Sequence, residues 1–365
     1  MIKTLLALLT LVLLTIALAS CDTGGGPSAP ATPGEATATP TPTPRLSKLP
    51  TVAPNGAKTK VTIALGYNPD VQFAPFYVAL NKGYYAKEGL DVTFKHGIVP
   101  DLIRLLGTGS DVNFAVASGD EIIPAHLEGI PVIYVMTWYR QYPVAAASIA
   151  GKGPTLMKPA DLKGHTVGVP GPYGSTYTGL LELLKAGGLT LNDITLKTIG
   201  YTQVESLTSG QVDVAMVYNT NEVVQLRNQG WNVSTLNVSD YAKLASNGLV
   251  TNQKTFSSDP TLVARVVRAT REGIRDTLKD PAGAFNEALK EVPDAGGANK
   301  DAQMKVLEES VKLMQANDPA GAHNPIGWTD VTTWSDSQDF LFDAGIIKNK
   351  GRIQEMFTNR FAFDD

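Results

Sequence analysis

Short apolar runs alternate with amphipathic stretches from residue 59 to about residue 252, and the two periodicities predict strands and helices in turn. In the first half the apolar runs place strands at 61–65, 90–94, 112–117 and 132–137. Helices are predicted between them at 75–81, 100–107 and 121–128, with Pro75 suited to a first turn and Gly83 and Gly107 as stops. The pattern then repeats, with strands at 165–169, 194–199 and 212–217 and helices at 175–185, 204–209 and 222–229. Residues 248–251 read as a strand that crosses back to the first half, and the remaining chain is helical at 260–279, 282–291, 300–316 and 332–344. Strand–helix alternation of this kind predicts an α/β protein whose mostly parallel sheets are flanked by helices. One internal echo supports two like lobes: Val112-Asn113-Phe114-Ala115 follows Gly109 as Val212-Asp213-Val214-Ala215 follows Gly210.

The chain before residue 59 has neither periodicity. Lys3 and an apolar run from Leu5 to Leu18 read as a secretory leader, too short for a comfortable membrane span. Its end, Leu18-Ala19-Ser20-Cys21, resembles the lipobox of bacterial lipoproteins, and Cys21 is the single cysteine of the 365 residues. The expectation is a protein diacylated at Cys21 and tethered outside the plasma membrane, since two acyl chains anchor stably. Residues 21–58, with three consecutive glycines and a Thr-Pro repeat, cannot bury enough apolar surface to order themselves and are read as a tether. The organisation expected is a signal peptide at 1–20, the tether at 21–58, a first lobe at 59–147, a second at 148–248, and a return to the first lobe at 249–365.

A hydrophobic fraction of 43% and a charged fraction of 18% supply a large core. A body of roughly 300 residues favours two units over one. The net charge of −4 argues against a nucleic-acid surface. Signals of catalysis are missing. His96, His126, His165 and His323 share no metal-ligand spacing, and no nucleophile elbow, Walker loop or dinucleotide fingerprint is present. No enzyme, metal or cofactor is expected.

In open parallel sheets ligands sit beyond the carboxyl ends of the strands. That rule selects Tyr67, Asn68 and Gln72; Ser118; Trp138, Tyr139 and Tyr142, with Arg140 among them; Tyr173, Gly174, Ser175 and Tyr177; and Tyr218, Asn219 and Glu222. The set is rich in aromatics, amides and hydroxyls and holds one arginine. Aromatic faces stack on planar ligands and amides read polar ring edges, so a neutral, aromatic, hydrogen-bonding solute is expected. Each residue also has a plainer structural role open to it: Ser175 as a helix cap, Glu222 as a first-turn carboxylate, Asn68 and Asn219 as turn formers.

Phe73-Ala-Pro-Phe-Tyr-Val-Ala79 followed by Lys82-Gly-Tyr-Tyr-Ala-Lys-Glu-Gly-Leu-Asp-Val92 resembles the opening of a family of substrate-binding proteins of bacterial ABC importers. That family includes binders of thiamine pyrimidine precursors, sulfonates and nitrate. Asp161-Leu-Lys-Gly-His-Thr-Val-Gly-Val169 and Leu207-Thr-Ser-Gly-Gln-Val-Asp-Val-Ala215 match two further blocks. The resemblance implies a two-lobed periplasmic-binding-protein-like fold of type II, with two crossover hinge strands and a ligand between the lobes. It implies a monomer working with a membrane permease and its ATPase. Asn219 with Glu222 resembles the element with which pyrimidine-precursor binders contact their ring. The chain is also similar to the flavin-binding lipoproteins of riboflavin importers, and riboflavin is the ligand expected, with an aminopyrimidine as the alternative and a sulfonate or nitrate anion behind both. The family's pyrimidine synthases carry a cysteine-rich motif that this chain lacks. A sensory or adhesive lipoprotein is the reading from a third class.

Overall fold

The computed structural model describes residues 56–109, 111–316 and 324–363, so the leader, most of the tether, Cys21 and His323 lie outside the described residues. All of the described residues belong to one unit of the chain, residues 44–365. Among the described residues ten strands form two sheets of five. In chain order they are β1 (Thr59–Gly66), β2 (Leu90–Gly97), β3 (Phe114–Ser118), β4 (Val132–Thr137) and β5 (Val144–Ile149). They continue as β6 (Thr166–Val169), β7 (Thr195–Thr198), β8 (Val214–Tyr218), β9 (Val233–Asn237) and β10 (Asn247–Asn252). The first sheet has the order β2-β1-β3-β10-β4 and the second β7-β6-β8-β5-β9.

Each sheet is therefore parallel except for one strand. In the first, β1 pairs parallel with β2 and β3, while β10 runs antiparallel between β3 and β4. In the second, β6 pairs parallel with β7 and β8, while β5 runs antiparallel between β8 and β9. The reversed strand is in each case the one that has just arrived from the other sheet. Residues 138–143 carry the chain from β4 to β5, and residues 238–246 carry it back from β9 to β10. These two passages are the only covalent links between the two sheets among the described residues.

The sequence echo lies at equivalent positions, ahead of β3 and β8. Asn113 Oδ1 accepts the Thr62 backbone N–H at 2.8 Å, and Asp213 Oδ2 accepts that of Thr166 at 2.8 Å. The reversed strands answer alike, with the Thr251 hydroxyl donating to the Asn113 carbonyl at 2.9 Å and the Ser148 hydroxyl to that of Asp213 at 3.0 Å. A short polar side chain at this point pins the central strand to its neighbour, which explains why Asn and Asp recur there.

The second sheet begins at Val144, so the expected lobe boundary at 147 falls inside β5. That strand, Val144-Ala-Ala-Ala-Ser-Ile149, was absent from the expected elements because alanines carry no strand signal. Its small side chains suit a crowded place. All six residues are buried, and the helix Gly174–Ala186 approaches so closely that a Cβ on Gly179 would meet Val144 Cγ1 at 2.8 Å. One apolar cluster runs through both lobes, joining Ala117, Ile122 and Tyr134 of the first to Val144, Leu180 and Met216 of the second. Helix Pro260–Lys279 packs on helix Ala74–Asn81, and helix Val331–Asp343 on helix Gly119–Leu127. No helix among the described residues is long and apolar enough to cross a membrane.

The pinning bonds give a direct test. Replacing Asn113 or Asp213 by Ala strands a strand N–H and is expected to cost about 1–2 kcal/mol in urea denaturation. Asn113→Asp keeps the acceptor and is expected to cost clearly less; equal losses for Asn113→Ala and Asn113→Asp would show that the acceptor does not matter.

Candidate functional site

The carboxyl ends of β1, β3, β6 and β8 open on a common gap between the two sheets, lined by residues of both lobes. β1 is followed by Tyr67, whose φ of 68° is the one left-handed backbone conformation at a non-glycine residue among the described residues. Such a conformation costs on the order of 1 kcal/mol or more and persists where surrounding structure holds it. Here the backbone of Tyr67 is clamped to Gly97, donating to its carbonyl at 2.8 Å and accepting from its N–H at 3.2 Å. The twist aims the tyrosine ring across the gap at Tyr201 of the second lobe, edge to face at 5.0 Å. Deeper in, Phe73 stacks on Trp138 with centroids 5.8 Å apart, and Trp138 stacks on Tyr139 at 4.0 Å. Residues 138–139 lie on the first passage between sheets, so this aromatic pile sits where the lobes are joined.

Two glutamates line the gap, one from each lobe, in matching positions. Glu121, in the first turn of helix Gly119–Leu127, accepts the Ser118 N–H on Oε2 at 3.0 Å. Glu222, at the start of helix Glu222–Asn228, accepts the Tyr218 N–H on Oε2 at 3.0 Å. Each thus folds back over the last residue of its lobe's central strand. No Lys, Arg or His lines the gap among the described residues. Burial pushes the Glu222 carboxyl up from 4.5 to about 7, with the charge of Asp70 adding to the effect. Burial also lifts Glu121 to about 7, helped by the charge of neighbouring Asp120. Asp70 itself is raised by burial to about 6.

Several bonds cross between lobes. The Asn221 side-chain N–H donates to Asp70 Oδ2 at 3.1 Å. The hydroxyls of Ser118 and Ser175 are 2.6 Å apart. The Ser175 hydroxyl also reaches Asp120 Oδ1 at 3.2 Å, and the Tyr142 hydroxyl donates toward Asp120 Oδ2 at 3.0 Å. Asp120 is buried, and desolvation raises its carboxyl. Other polar atoms on the gap's wall lack a partner. Trp138 Nε1, Asn247 Oδ1 and Gln203 Oε1 are buried with no hydrogen-bond partner. A buried donor or acceptor left unpaired is costly, so these atoms mark places where a bound molecule would add a bond.

Of the residues expected at the site, Tyr67, Gln72, Trp138, Tyr139, Tyr173, Gly174, Ser175, Tyr218 and Glu222 line the gap together. Five do not. Asn68 is exposed. Ser118 stands behind Glu121 and bonds to it, and Tyr142 is buried against Asp120. Asn219 turns away and donates to Asn237 Oδ1 at 3.1 Å. Tyr177 lies one helical turn beyond the gap, on an adjoining groove. Arg140 points out of the site, donating to the carbonyls of Asn324 and Pro325 at 2.8 and 3.2 Å. The lining also holds Glu121, Asn221, Tyr201, Gln203 and Asn247, which were not expected. Two of these had a signal. Glu121 is the Ser-x-x-Glu partner of a helix start that follows a central strand, and Asn221 is the residue just before Glu222 begins its helix.

Two lobes of mixed α/β sheet, joined by two passages and enclosing an aromatic gap, define a solute-binding protein of the periplasmic-binding-protein fold. The alkanesulfonate-binding protein SsuA from Xanthomonas axonopodis pv. citri bound to MOPS shares this fold, with a TM-score of 0.64 over 83% of this chain and 99% of that one at 15% identity. The chain belongs to the NMT1/THI5-like family, whose sequence profile matches residues 70–284. It is 37% identical to the riboflavin-binding protein RibY of Chloroflexus aurantiacus over 98% of each chain. It is 28% identical to the formylaminopyrimidine-binding protein of Halalkalibacterium halodurans, over 80% of this chain and 89% of that one. No group of three or more His, Cys, Asp or Glu among the described residues is arranged to hold a metal ion.

The raised carboxyls set a pH dependence. A carboxyl held above its unfolded value stabilises the ligand-free fold fully below about pH 4.5, and that contribution is lost as the pH rises through about 7. Glu222→Gln keeps the acceptor for Tyr218 but removes the charge. It is expected to stabilise the ligand-free protein at pH 8 by on the order of 1–3 kcal/mol and to leave it nearly unchanged at pH 4.5. Chemical denaturation at the two pH values checks this; destabilisation at pH 8 would mean the carboxylate is held by a partner.

Proposed function

We propose that this protein is the extracytoplasmic solute-binding lipoprotein of an ABC importer, capturing riboflavin between its lobes and handing it to a membrane permease driven by an ATPase. The observation that carries the reading is the gap itself: stacked aromatics, two carboxylates from opposite lobes and no cation. A flat, uncharged ring with N–H donors on its edge answers each feature. The rings of Tyr67, Tyr201 and Trp138 offer faces and edges to an isoalloxazine. Its imide N–H suits a carboxylate or the Asn247 amide oxygen, and its carbonyls suit the Trp138 N–H. Kinship over nearly full length to a riboflavin-binding protein supports the same ligand.

Capture works by closure about the two passages. The bonds Asn221–Asp70 and Ser118–Ser175 and the Tyr67–Tyr201 contact join opposite lobes. A ligand that touches both lobes favours the closed arrangement by its differential affinity, and the permease reads that arrangement. In this reading Cys21 carries the lipid anchor and the tether lifts the binding unit off the plasma membrane, where the protein acts as a monomer without catalysis. A second reading, an aminopyrimidine ligand, draws on the same carboxylates, which accept equally well from exocyclic amines, and on kinship to a formylaminopyrimidine binder.

Titrating the purified protein with riboflavin and following flavin fluorescence tests the ligand. Saturable one-to-one quenching is expected; its absence together with saturable binding of a formylaminopyrimidine would favour the second reading. Tyr67→Ala is expected to weaken riboflavin binding by about 1–3 kcal/mol, the usual worth of one aromatic stacking partner. Binding is expected to change little between low and high salt, because the ligand is uncharged.

A further inference from the structure

The aromatic gap has a cavity of only about 90 Å³, whereas sites for ligands of drug size span roughly 300–1,000 Å³. Beside it lies a groove of about 440 Å³, and the two share Pro100, Glu121, Tyr173 and Gly174 as common wall. The groove runs between helices Val99–Thr108 and Gly119–Leu127 of the first lobe and helix Gly174–Ala186 of the second. We propose that the two cavities form one bipartite binding site, in which the aromatic gap holds a planar ring and the groove receives an uncharged polyhydroxyl chain attached to it. The proposal rests on the riboflavin reading and extends it from the ring to the chain.

Three observations carry it. The first is that the two spaces adjoin at Glu121 and Gly174, which line both. Gly174 has a φ of 72°, and a Cβ there would sit 3.0 Å from Glu121 Oε1, so glycine keeps side-chain bulk out of the junction. The second is the groove's lining. Ala125, Leu181 and Ile103 give it apolar walls, while the Tyr177 and Thr178 side chains and the carboxylates of Glu121 and Glu128 supply hydrogen-bonding groups along its length. Hydroxyls donate to carboxylates and accept from other hydroxyls, so a polyol chain matches this alternation. The third is charge. The one cation on the groove among the described residues, Arg104, is exposed and already pairs with Asp101 at 3.4 Å, whereas Asp120, Glu121 and Glu128 all stand on the wall. A chain ending in phosphate would meet net repulsion there. The location of Tyr177, on the groove and not on the gap, finds its use in the same arrangement.

The test compares riboflavin with lumiflavin, which has a methyl group in place of the chain, and with the 5′-phosphate ester of riboflavin. Riboflavin is expected to bind at least about tenfold more tightly than either, the worth of one or two hydrogen bonds made in the groove. Leu181→Trp, on a partly buried wall, and Ala125→Phe, at a buried one, narrow the groove without touching the gap. Thermal unfolding identifies which variants are folded. In a folded variant, riboflavin affinity is expected to fall about tenfold while lumiflavin affinity stays within about twofold, so the preference for the chain disappears. Equal binding of riboflavin and lumiflavin by the native protein, or an unchanged preference in the folded variants, would overturn the bipartite site while leaving riboflavin as the ligand. Failure of every flavin to bind would overturn the riboflavin reading and the groove proposal together.

Discussion

The site is governed by buried carboxyl groups that no cation among the described residues accompanies. Glu121 and Glu222 reach the same gap from opposite lobes, Asp70 and Asp120 stand just behind them, and no basic side chain among the described residues lines the space. Ionised carboxylates taken from water without a cation are costly, so in the ligand-free protein these groups hold protons more tightly than carboxyls ordinarily do. A ligand able to give them hydrogen bonds relieves that cost, and an anion increases it. The fold of the SsuA structure thus serves here a lining without anion-binding side chains. Shared architecture does not carry the ligand; the residues at the strand ends do.

The pseudo-symmetry explains why the charge is paired. Both sheets have the same order about their central strands β3 and β8, and both central strands end beneath a helix whose first turn holds a glutamate. In each lobe that glutamate accepts the N–H of the strand's last residue. One local solution to ending a central strand therefore gives, when duplicated and turned face to face, a gap with a carboxylate on each side. The aromatic pile at Phe73, Trp138 and Tyr139 comes instead from one lobe and from the passage between lobes, and this breaks the symmetry and makes one end of the gap apolar.

Much of this architecture is legible in the sequence because it depends on periodicity. The strands β1 to β4, β6 and β8 are apolar runs between helical stretches, and the echo at Asn113 and Asp213 marks equivalent places in the two sheets. β5 is not legible: a strand made largely of alanine is defined by what packs on it, which lies far away in the chain. The site was legible to the level of the loop and not of the side chain. The strand-end rule found the Tyr218–Glu222 turn but chose Asn219, whereas a one-turn difference in direction sends Asn219 to Asn237 and Asn221 to Asp70. Glu121 opens the helix expected at 121–128 and lies in the first turn of the one found; that the same position also faces the gap follows from Glu222 and the echo taken together. Tyr201 lies just beyond the carboxyl end of an edge strand, β7, an end that the strand-end rule covers but the expected set left out.

Proton exchange on binding tests the idea of unneutralised carboxylates most directly. Calorimetric titration with riboflavin near pH 6.5, in two buffers of different ionisation enthalpy, counts the protons moved. If the ring's N–H is received by a gap carboxylate, binding drives that group to ionise and releases a proton to the buffer. Uptake of a proton, or riboflavin binding with no proton movement between pH 6 and 7, would contradict the account.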